Sequence, residues 1–399
     1  QLLRHAYRAI PYWHELIEKE FADGTVFDIK QFERLPILTR ETLRERHREF
    51  LIEHLGRYKC KTFVTSGSTG MVKKFVADKT YFQKHSATEE FYVNFFGVKN
   101  YWQYGFMLHK PHLKDLNTQI PSDISVDDLN MLFKKKKIKA VGGSVHRLVR
   151  FAEMMETGKI HVDLKFVVAG SEYLSADTKR YFEKIFRCPI YNKYVCAEAG
   201  LMGVECTNRG GFHIDPVGTY LEIVDESGHP VVGSDLGRIV ITIFNNRLMP
   251  LIRYDIGDIG GWIEGECACG LNSPRLFFEG RILHYVEFMD GRKFSAVVLI
   301  RSLDVKFINI IAKQQVIQES RSKILLKFVP GHAYRPFQRE LMHDFIHHIL
   351  RDFPKISVEV VAVPSLDNFK NGKYVIFESH VKKKSHRNTV HSKRQHEQL

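Results

Sequence analysis

From about residue 104 the chain repeats one pattern: a short apolar run that ends in small residues, then an amphipathic stretch. The runs at 104–108, 140–144, 164–170 and 189–195 read as strands, and 145–155 and 176–186 between them read as helices. Strands alternating with helices argue for a parallel α/β sheet. Ligands of such sheets lie beyond the carboxyl ends of the strands, so the small and polar residues that follow each run are where a site is expected.

The flanking sequence has other textures. The first 60 residues read as helical, anchored by Tyr7, Ile10, Tyr12, Trp13, Leu16 and Ile17, with Thr39 placed to cap a helix over 40–50. This part reads as a lid or framing element. A helix rich in aromatic residues is expected over 79–96. Beyond 210, alternating runs at 220–224 and 237–242 flank turn residues and read as antiparallel hairpins. After Gly280 a helix over 336–351 and a strand over 356–363 suggest a small α+β unit. The expected architecture is therefore α/β: a large domain over 1–279 with a parallel sheet and a β subdomain over about 205–279, then a small mobile α+β domain over 280–381, then a basic, disordered tail over 382–399.

Composition narrows the class. With 44% hydrophobic and 26% charged residues the chain reads as soluble and globular, and no run approaches the roughly 18 apolar residues of a membrane span. The first residues lack the apolar core of a signal peptide, so a cytoplasmic enzyme is expected. The net charge of +13 gathers partly in Lys134, Lys135, Lys136 and Lys137 and in the tail, as solvated charge runs do, so no specific nucleic-acid partner is expected. Six cysteines, at 60, 188, 196, 206, 267 and 269, are too scattered for a disulfide framework and read as reduced thiols.

Between the helical start and the repeating region lies a stretch running from Thr62 to Lys74, with Thr65, Ser66, Gly67, Ser68, Thr69 and Gly70 in sequence before Lys73. Glycines let backbone wrap closely, hydroxyls and N–H groups donate, and lysines supply charge, so the stretch reads as a phosphate cradle. It is not the Walker pattern, because Met71 follows Gly70. A Ser/Gly-rich surface loop is the alternative.

Four further phrases follow in fixed order: Ala169-Gly170-Ser171-Glu172, Tyr194-Val195-Cys196-Ala197-Glu198-Ala199-Gly200, Pro250 through Asp258, and Gly280-Arg281, with Asn371-Gly372-Lys373 near the end. Together with the cradle they resemble the adenylate-forming superfamily of acyl-CoA synthetases and adenylation domains. The phrases around Tyr194 to Cys206 and Leu251 to Asp258 are most similar to the phenylacetate-CoA ligase branch. The resemblance covers nearly the whole chain to about residue 381.

The resemblance implies a reaction in two halves. A carboxylate attacks the α-phosphate of MgATP, giving an acyl- or aryl-adenylate and pyrophosphate, and a thiol, commonly coenzyme A, then displaces AMP. By matching positions, Thr65, Ser66, Ser68, Thr69 and Lys73 would hold the β,γ-phosphates, with Gly67 and Gly70 shaping the loop. Ser171 and Glu172 would border adenine and Tyr194 would lie on or beside it. Glu198 would bind Mg²⁺, Asp258 would accept from the ribose hydroxyls with help from Arg281, and Lys373 would reach the carboxylate and α-phosphate. The bland alternatives are a turn role for Asp258 and a hairpin-end role for Lys373 after Asn-Gly. Phe95 and Phe96 with Val141, Gly142 and Gly143 are candidates for the acyl pocket, with Tyr92 nearby.

Two departures from the family pattern matter. Val72 stands where the superfamily usually has proline, and Gly280-Arg281 is followed by Ile282-Leu283-His284 rather than an acidic pair at the domain hinge. The second puts the coenzyme A half of the reaction in question. Transfer to an amine acceptor, and binding without turnover, are therefore kept as alternatives. A small-molecule acid and ATP are the expected partners, and a homodimer is allowed. Finally, Cys206, His213, Cys267 and Cys269 make a complete ligand set for structural Zn²⁺, although Cys-x-Cys spacing is atypical and buried free thiols are the alternative.

Overall fold

The structure, a computed structural model, describes residues 1–21, 29–66, 72–108, 118–121, 124–171, 174, 176–208, 210–281, 285–307, 310–366, 369–370 and 373–381. Gly67, Ser68, Thr69, Gly70, Glu172 and the tail over 382–399 therefore lie outside the described residues.

The chain opens with α1 (Leu2–Ala9), α2 (Pro11–Glu20), α3 (Ile29–Arg34) and α4 (Arg40–Glu45). Pro11 starts α2, where its missing N–H costs nothing. Thr39 caps α4, its side chain accepting from the Thr42 N–H at 3.1 Å, a contact worth about 1 kcal/mol. The expected helix over 40–50 is broken, since residues His47–Phe50 form a 3-10 turn. Trp13 and Phe50 are fully buried, and Trp13 Nε1 donates to the Pro250 carbonyl at 2.9 Å. The segment after α3 also joins the sheet: Leu38 bridges Tyr254 in parallel, with N–H···O bonds of 2.9 and 3.0 Å on either side.

A hairpin follows, β1 (Cys60–Ser66) and β2 (Val72–Asp78), in register from Cys60↔Asp78 to Ser66↔Val72. Asp78 then caps α5 (Lys79–Phe95), accepting from the Tyr81 N–H at 3.1 Å.

Among the described residues, the body of the N-terminal part is one eleven-stranded sheet. Its parallel part is β3 (Tyr104–Leu108), β4 (Thr118–Pro121), β5 (Ala140–Ser144), β6 (Phe166–Gly170) and β7 (Ile190–Cys196), with α6 (Val126–Lys136), α7 (Val145–Glu156) and α8 (Ala176–Phe186) between strands. The residues expected to be strands in this region are strands, because their apolar side chains bury on both faces: Val141, Val167, Ala169 and Ile190 pack toward the helices, and Ala140, Phe166, Val168 and Tyr191 pack on the other side with Val93.

The alternating region over about 205–279 continues the same sheet. β8 (Gly200–Glu205) pairs antiparallel with β7, and β9 (Phe212–Ile214), β13 (Arg275–Arg281), β12 (Tyr254–Ile263), β11 (Gly237–Ile243) and β10 (Thr219–Val224) extend it outward. The sheet turns antiparallel where the connections shorten from helices to hairpins.

The C-terminal part has its own buried core and a four-stranded sheet ordered β18-β17-β16-β21. Its elements are β14 (Tyr285–Glu287), β15 (Lys293–Ser295), α9 (Ala296–Lys306), β16 (Ile311–Ser320), β17 (Lys323–Pro330), α10 (Gln338–Ile349), β18 (Ser357–Ala362), β19 (Phe369–Lys370), β20 (Lys373–Tyr374) and β21 (Phe377–Ser379).

Candidate active site

The site forms where β6 and β7 end and β12 and β13 pass beside them. β6 stops at Gly170, and Ser171 has φ 66°, a left-handed conformation uncommon for a residue with a Cβ. The chain thus turns away at the carboxyl edge, leaving Ser171 exposed.

On β7, Tyr194 is buried with its ring tilted against Phe212 and Phe278 at centroid distances of 5.7 and 5.6 Å. Its hydroxyl donates to Asp258 Oδ2 at 2.8 Å. Asp258 is 2% exposed on β12, and the sheet register sets it opposite Arg281 of β13. Tyr194 and Asp258, 64 positions apart, thus meet through a side-chain hydrogen bond, and strand pairing sets Arg281 opposite Asp258. The Arg281 side chain lies outside the described residues.

Four residues past Tyr194, Glu198 sits on the turn between β7 and β8, half-buried. Two side chains of α5 hold this turn. Tyr81 donates its hydroxyl to the Ala197 carbonyl at 3.1 Å, and His85 Nδ1 accepts from the Leu201 N–H at 3.0 Å. Gly200 has φ 74°, and a Cβ there would come within 3.0 Å of His85 Nδ1. Burial pushes the His85 pKa down, which keeps the ring neutral and able to accept. Cys196 lies between the acids: burial, then the carboxylates of Glu198 and Asp258, hold its thiol well above the ordinary range. It is a packed, unreactive thiol, its Sγ accepting from the Ala199 N–H at 3.3 Å.

Thr65 and Ser66 end β1, and Lys73 lies across from Thr65 in β2, so backbone pairing brings the two ends of the expected cradle together. Lys373 begins β20, paired with Lys370. The side chains of these four residues are outside the described residues.

The acyl-pocket candidates separate. Val141 is fully buried in the core between sheet and helices. Gly142 faces the other way, where a Cβ would meet Tyr104 Oη at 1.8 Å; one on Gly143 would come to 3.2 Å from Met107 Cβ. Phe95 packs edge-on to Phe96, which stacks on Tyr191 at 3.9 Å.

Three arrangements escaped the sequence reading. Arg253, in the phrase that leads to Asp258, points away from the site: 2% exposed and at φ 46°, it pairs with Glu222 at 3.0 Å and donates to the carbonyls of Glu33, Leu35 and Gly228. Its partners lie up to 220 positions away, so only its place in a motif was visible. The clasp made by Tyr81 and His85 is the second. A buried pair, Lys193 with Glu89, is the third; a lysine inside an otherwise apolar strand was its one signal.

Away from this site, Cys206, His213, Cys267 and Cys269 converge, their ligand atoms all within 4.8 Å of one another. Cys206 and Cys267 sulfurs are 3.6 Å apart, and Cys269 Sγ is 3.4 Å from His213 Nε2. A tetrahedron with Zn–S bonds of about 2.3 Å spaces its sulfurs by about 3.8 Å, so the set fits such an ion. His213 Nδ1 meets Ser273 Oγ at 3.2 Å, an outer partner of the kind that orients metal-bound imidazole. The backbone N–H of Cys269 is foremost in holding the Cys267 thiol down, to about 6, while burial keeps the proton on Cys269.

No family model matches the sequence, and no curated protein matches it. Solved structures do. A 2-hydroxyisobutyryl-CoA ligase in its postadenylation state superposes with a TM-score of 0.77 at 17% identity, over 94% of this chain and 87% of that one. The same ligase in its thioesterification state gives 0.61 at 18% identity, over 95% and 88%. The amide bond synthetase McbA from Marinactinospora thermotolerans gives 0.58 at 15% identity, over 78% and 66%. The chain thus has the fold of adenylate-forming enzymes. No described helix is long and apolar enough to cross a membrane.

Proposed function

We propose that this chain, built on the adenylate-forming fold, activates a carboxylic acid with ATP and passes the acyl group to a thiol, coenzyme A. The observation that carries the reading is the meeting of Tyr194, Asp258 and the Arg281 position beside the Glu198 turn, at the carboxyl edge of a parallel sheet. In the first half, a carboxylate oxygen bonds to the α-phosphorus and pyrophosphate leaves. In the second, the thiol sulfur bonds to the acyl carbon, gives up its proton, and AMP leaves.

Attack of one anion on another is governed by positioning and charge. Thr65, Ser66, Ser68, Thr69 and Lys73 would hold the leaving pyrophosphate, with Gly67 and Gly70 allowing close approach. Ser171, Glu172 and Tyr194 would border adenine, and Asp258, with Arg281, would take the ribose hydroxyls. Glu198 would bind Mg²⁺, a hard cation that takes few protein carboxylates alongside phosphate oxygens. Bound there, Mg²⁺ would neutralise phosphate charge. Lys373 would neutralise the point where carboxylate and α-phosphate meet.

Pyrophosphate exchange against a panel of acids is the test. Exchange that depends on an acid supports the reading. Nucleotide binding without exchange for any acid would replace it with a non-catalytic one. Lys373→Ala should lower exchange about 10²- to 10³-fold, the scale of losing one fixed charge-stabilising group, with ATP affinity nearly unchanged; an unaltered rate would remove Lys373 from the mechanism. An amine acceptor is the second reading, favoured by the Ile282-Leu283-His284 hinge. Exchange without thioester formation would select it. We further infer that the Cys206, His213, Cys267 and Cys269 set holds structural Zn²⁺.

A further inference from the structure

Beneath the candidate site, on the face of the sheet toward α5, lies an ion pair taken entirely out of water. Lys193 Nζ meets Glu89 Oε1 at 2.9 Å, with side chains 4% and 10% exposed. Glu89 also accepts from the hydroxyls of Tyr101 at 2.9 Å and Tyr104 at 3.4 Å. Burial works against its carboxylate, yet the Lys193 ammonium, with the hydrogen bonds from Lys193 and Tyr101, holds its pKa below the ordinary value. The ammonium also sits over the Phe106 ring, 4.2 Å from its centre.

The backbone is shaped for this pair. Lys193 is the residue before Tyr194 and lies beside Gly170 in the parallel register. A Cβ on Gly170 would come within 2.4 Å of Lys193 Cγ, and one on Gly142 would overlap the Tyr104 hydroxyl. Gly170 at the end of β6 and Gly142 in the middle of β5 thus make room for the lysine stem and for one tyrosine that binds its partner. What remains between Glu89, Phe96, Tyr104, Lys193 and Leu201 is a cavity of ≈ 10 Å³, the space of about one water.

We propose that Lys193, fixed by Glu89, closes the acyl side of the site, so that the protein takes a short carboxylic acid with a polar substituent and excludes aryl acids. This rests on the adenylation reading and names its substrate class. An aromatic ring entering here would have to displace a paired charge that has no water to return to, whereas a hydroxyl near the carboxylate can hydrogen-bond to it. Of the rings expected near the acyl pocket, Tyr92 and Phe96 border this paired charge.

The test is binding of non-reactive sulfamoyl-adenosine analogues, read by calorimetry against AMP on the full chain. The 2-hydroxypropionyl analogue should bind at least about tenfold more tightly than the phenylacetyl analogue. In the variant Lys193→Ala with Glu89→Gln, which removes both charges together, the phenylacetyl analogue should gain about tenfold or more while AMP affinity holds. Equal or tighter binding of the phenylacetyl analogue by the native chain overturns the proposal, whether or not the variant folds. No gain in a variant that still binds AMP also overturns it. Failure of AMP and both analogues to bind would sink the adenylation reading itself, and this inference with it.

Discussion

Among single residues, Arg253 and Tyr194 show how one phrase serves both structure and site. Arg253 and Glu222 are each almost wholly buried, and burial outweighs the arginine in setting the Glu222 pKa, which is raised. Removing one partner leaves the other buried and unpaired. Arg253→Ala should therefore cost about 3–5 kcal/mol in urea unfolding, and Arg253→Met with Glu222→Gln should recover most of it. Tyr194→Phe leaves Asp258 without a buried charge-assisted hydrogen bond, and should cost about 1.5–3 kcal/mol. A melting curve unchanged from the native chain would show that Asp258 is otherwise satisfied. Residue types at the site were legible in the sequence because turns, hydroxyls and acids follow strands in order. Arg253 was not, because two of its carbonyl partners, Glu33 and Leu35, sit before residue 40 and the bridge between Leu38 and Tyr254 brings them near. Lys193 was not, because a charge inside a strand says nothing of the glutamate 104 positions earlier that neutralises it.

Among elements, α5 links the expected phosphate hairpin to the acidic turn. It is capped by Asp78 at the end of β2 and reaches the Glu198 turn through Tyr81 and His85. Tyr81 touches backbone and acts by positioning. Tyr81→Phe should raise the Mg²⁺ concentration for half-maximal exchange about three- to tenfold, the worth of one hydrogen bond, with maximal rate little changed. A fall in rate at every Mg²⁺ level would instead indicate general loosening. A second tie is the Cys/His cluster, which links β9 and the end of β8 to the loop between β12 and β13. Protein prepared without chelator should contain about one equivalent of zinc by elemental analysis, and chelation should lower the melting temperature, since metal binding is coupled to folding. Zinc-free protein with the native melting temperature would leave four free side chains. Helices and parallel strands were readable here from period and length. The continuity of the sheet through β8 to β13 was not, because hairpins look alike whether they extend a sheet or form their own, and only the pairing of β7 with β8 decides it.

In the whole molecule, the buried cores of the described residues fall into two groups. Several clusters line the eleven-stranded sheet, and a separate one belongs to the C-terminal sheet with α9 and α10. The chain passes between them just after Arg281, and α9 lies against β13 and α8. Lys373 is on the C-terminal side, so adenylation as proposed requires that part to be docked with its lysine toward Asp258 and Glu198. In the two-half mechanism as proposed the same part would turn for thioester formation, on a segment that reads Ile282-Leu283-His284, lies outside the described residues and has no acidic pair. An apolar side chain of leucine size costs about 1.5–3 kcal/mol to expose wherever it packs, whereas a carboxylate is readily solvated. With no acidic pair there, acid-dependent exchange should run at least about tenfold faster than coenzyme A thioester formation, and Ile282→Asp with Leu283→Asp, which supplies the pair, should narrow the gap. Thioester formation that keeps pace with exchange in the native chain would show that turning is not limited at this segment, and would decide the acceptor in favour of the thiol.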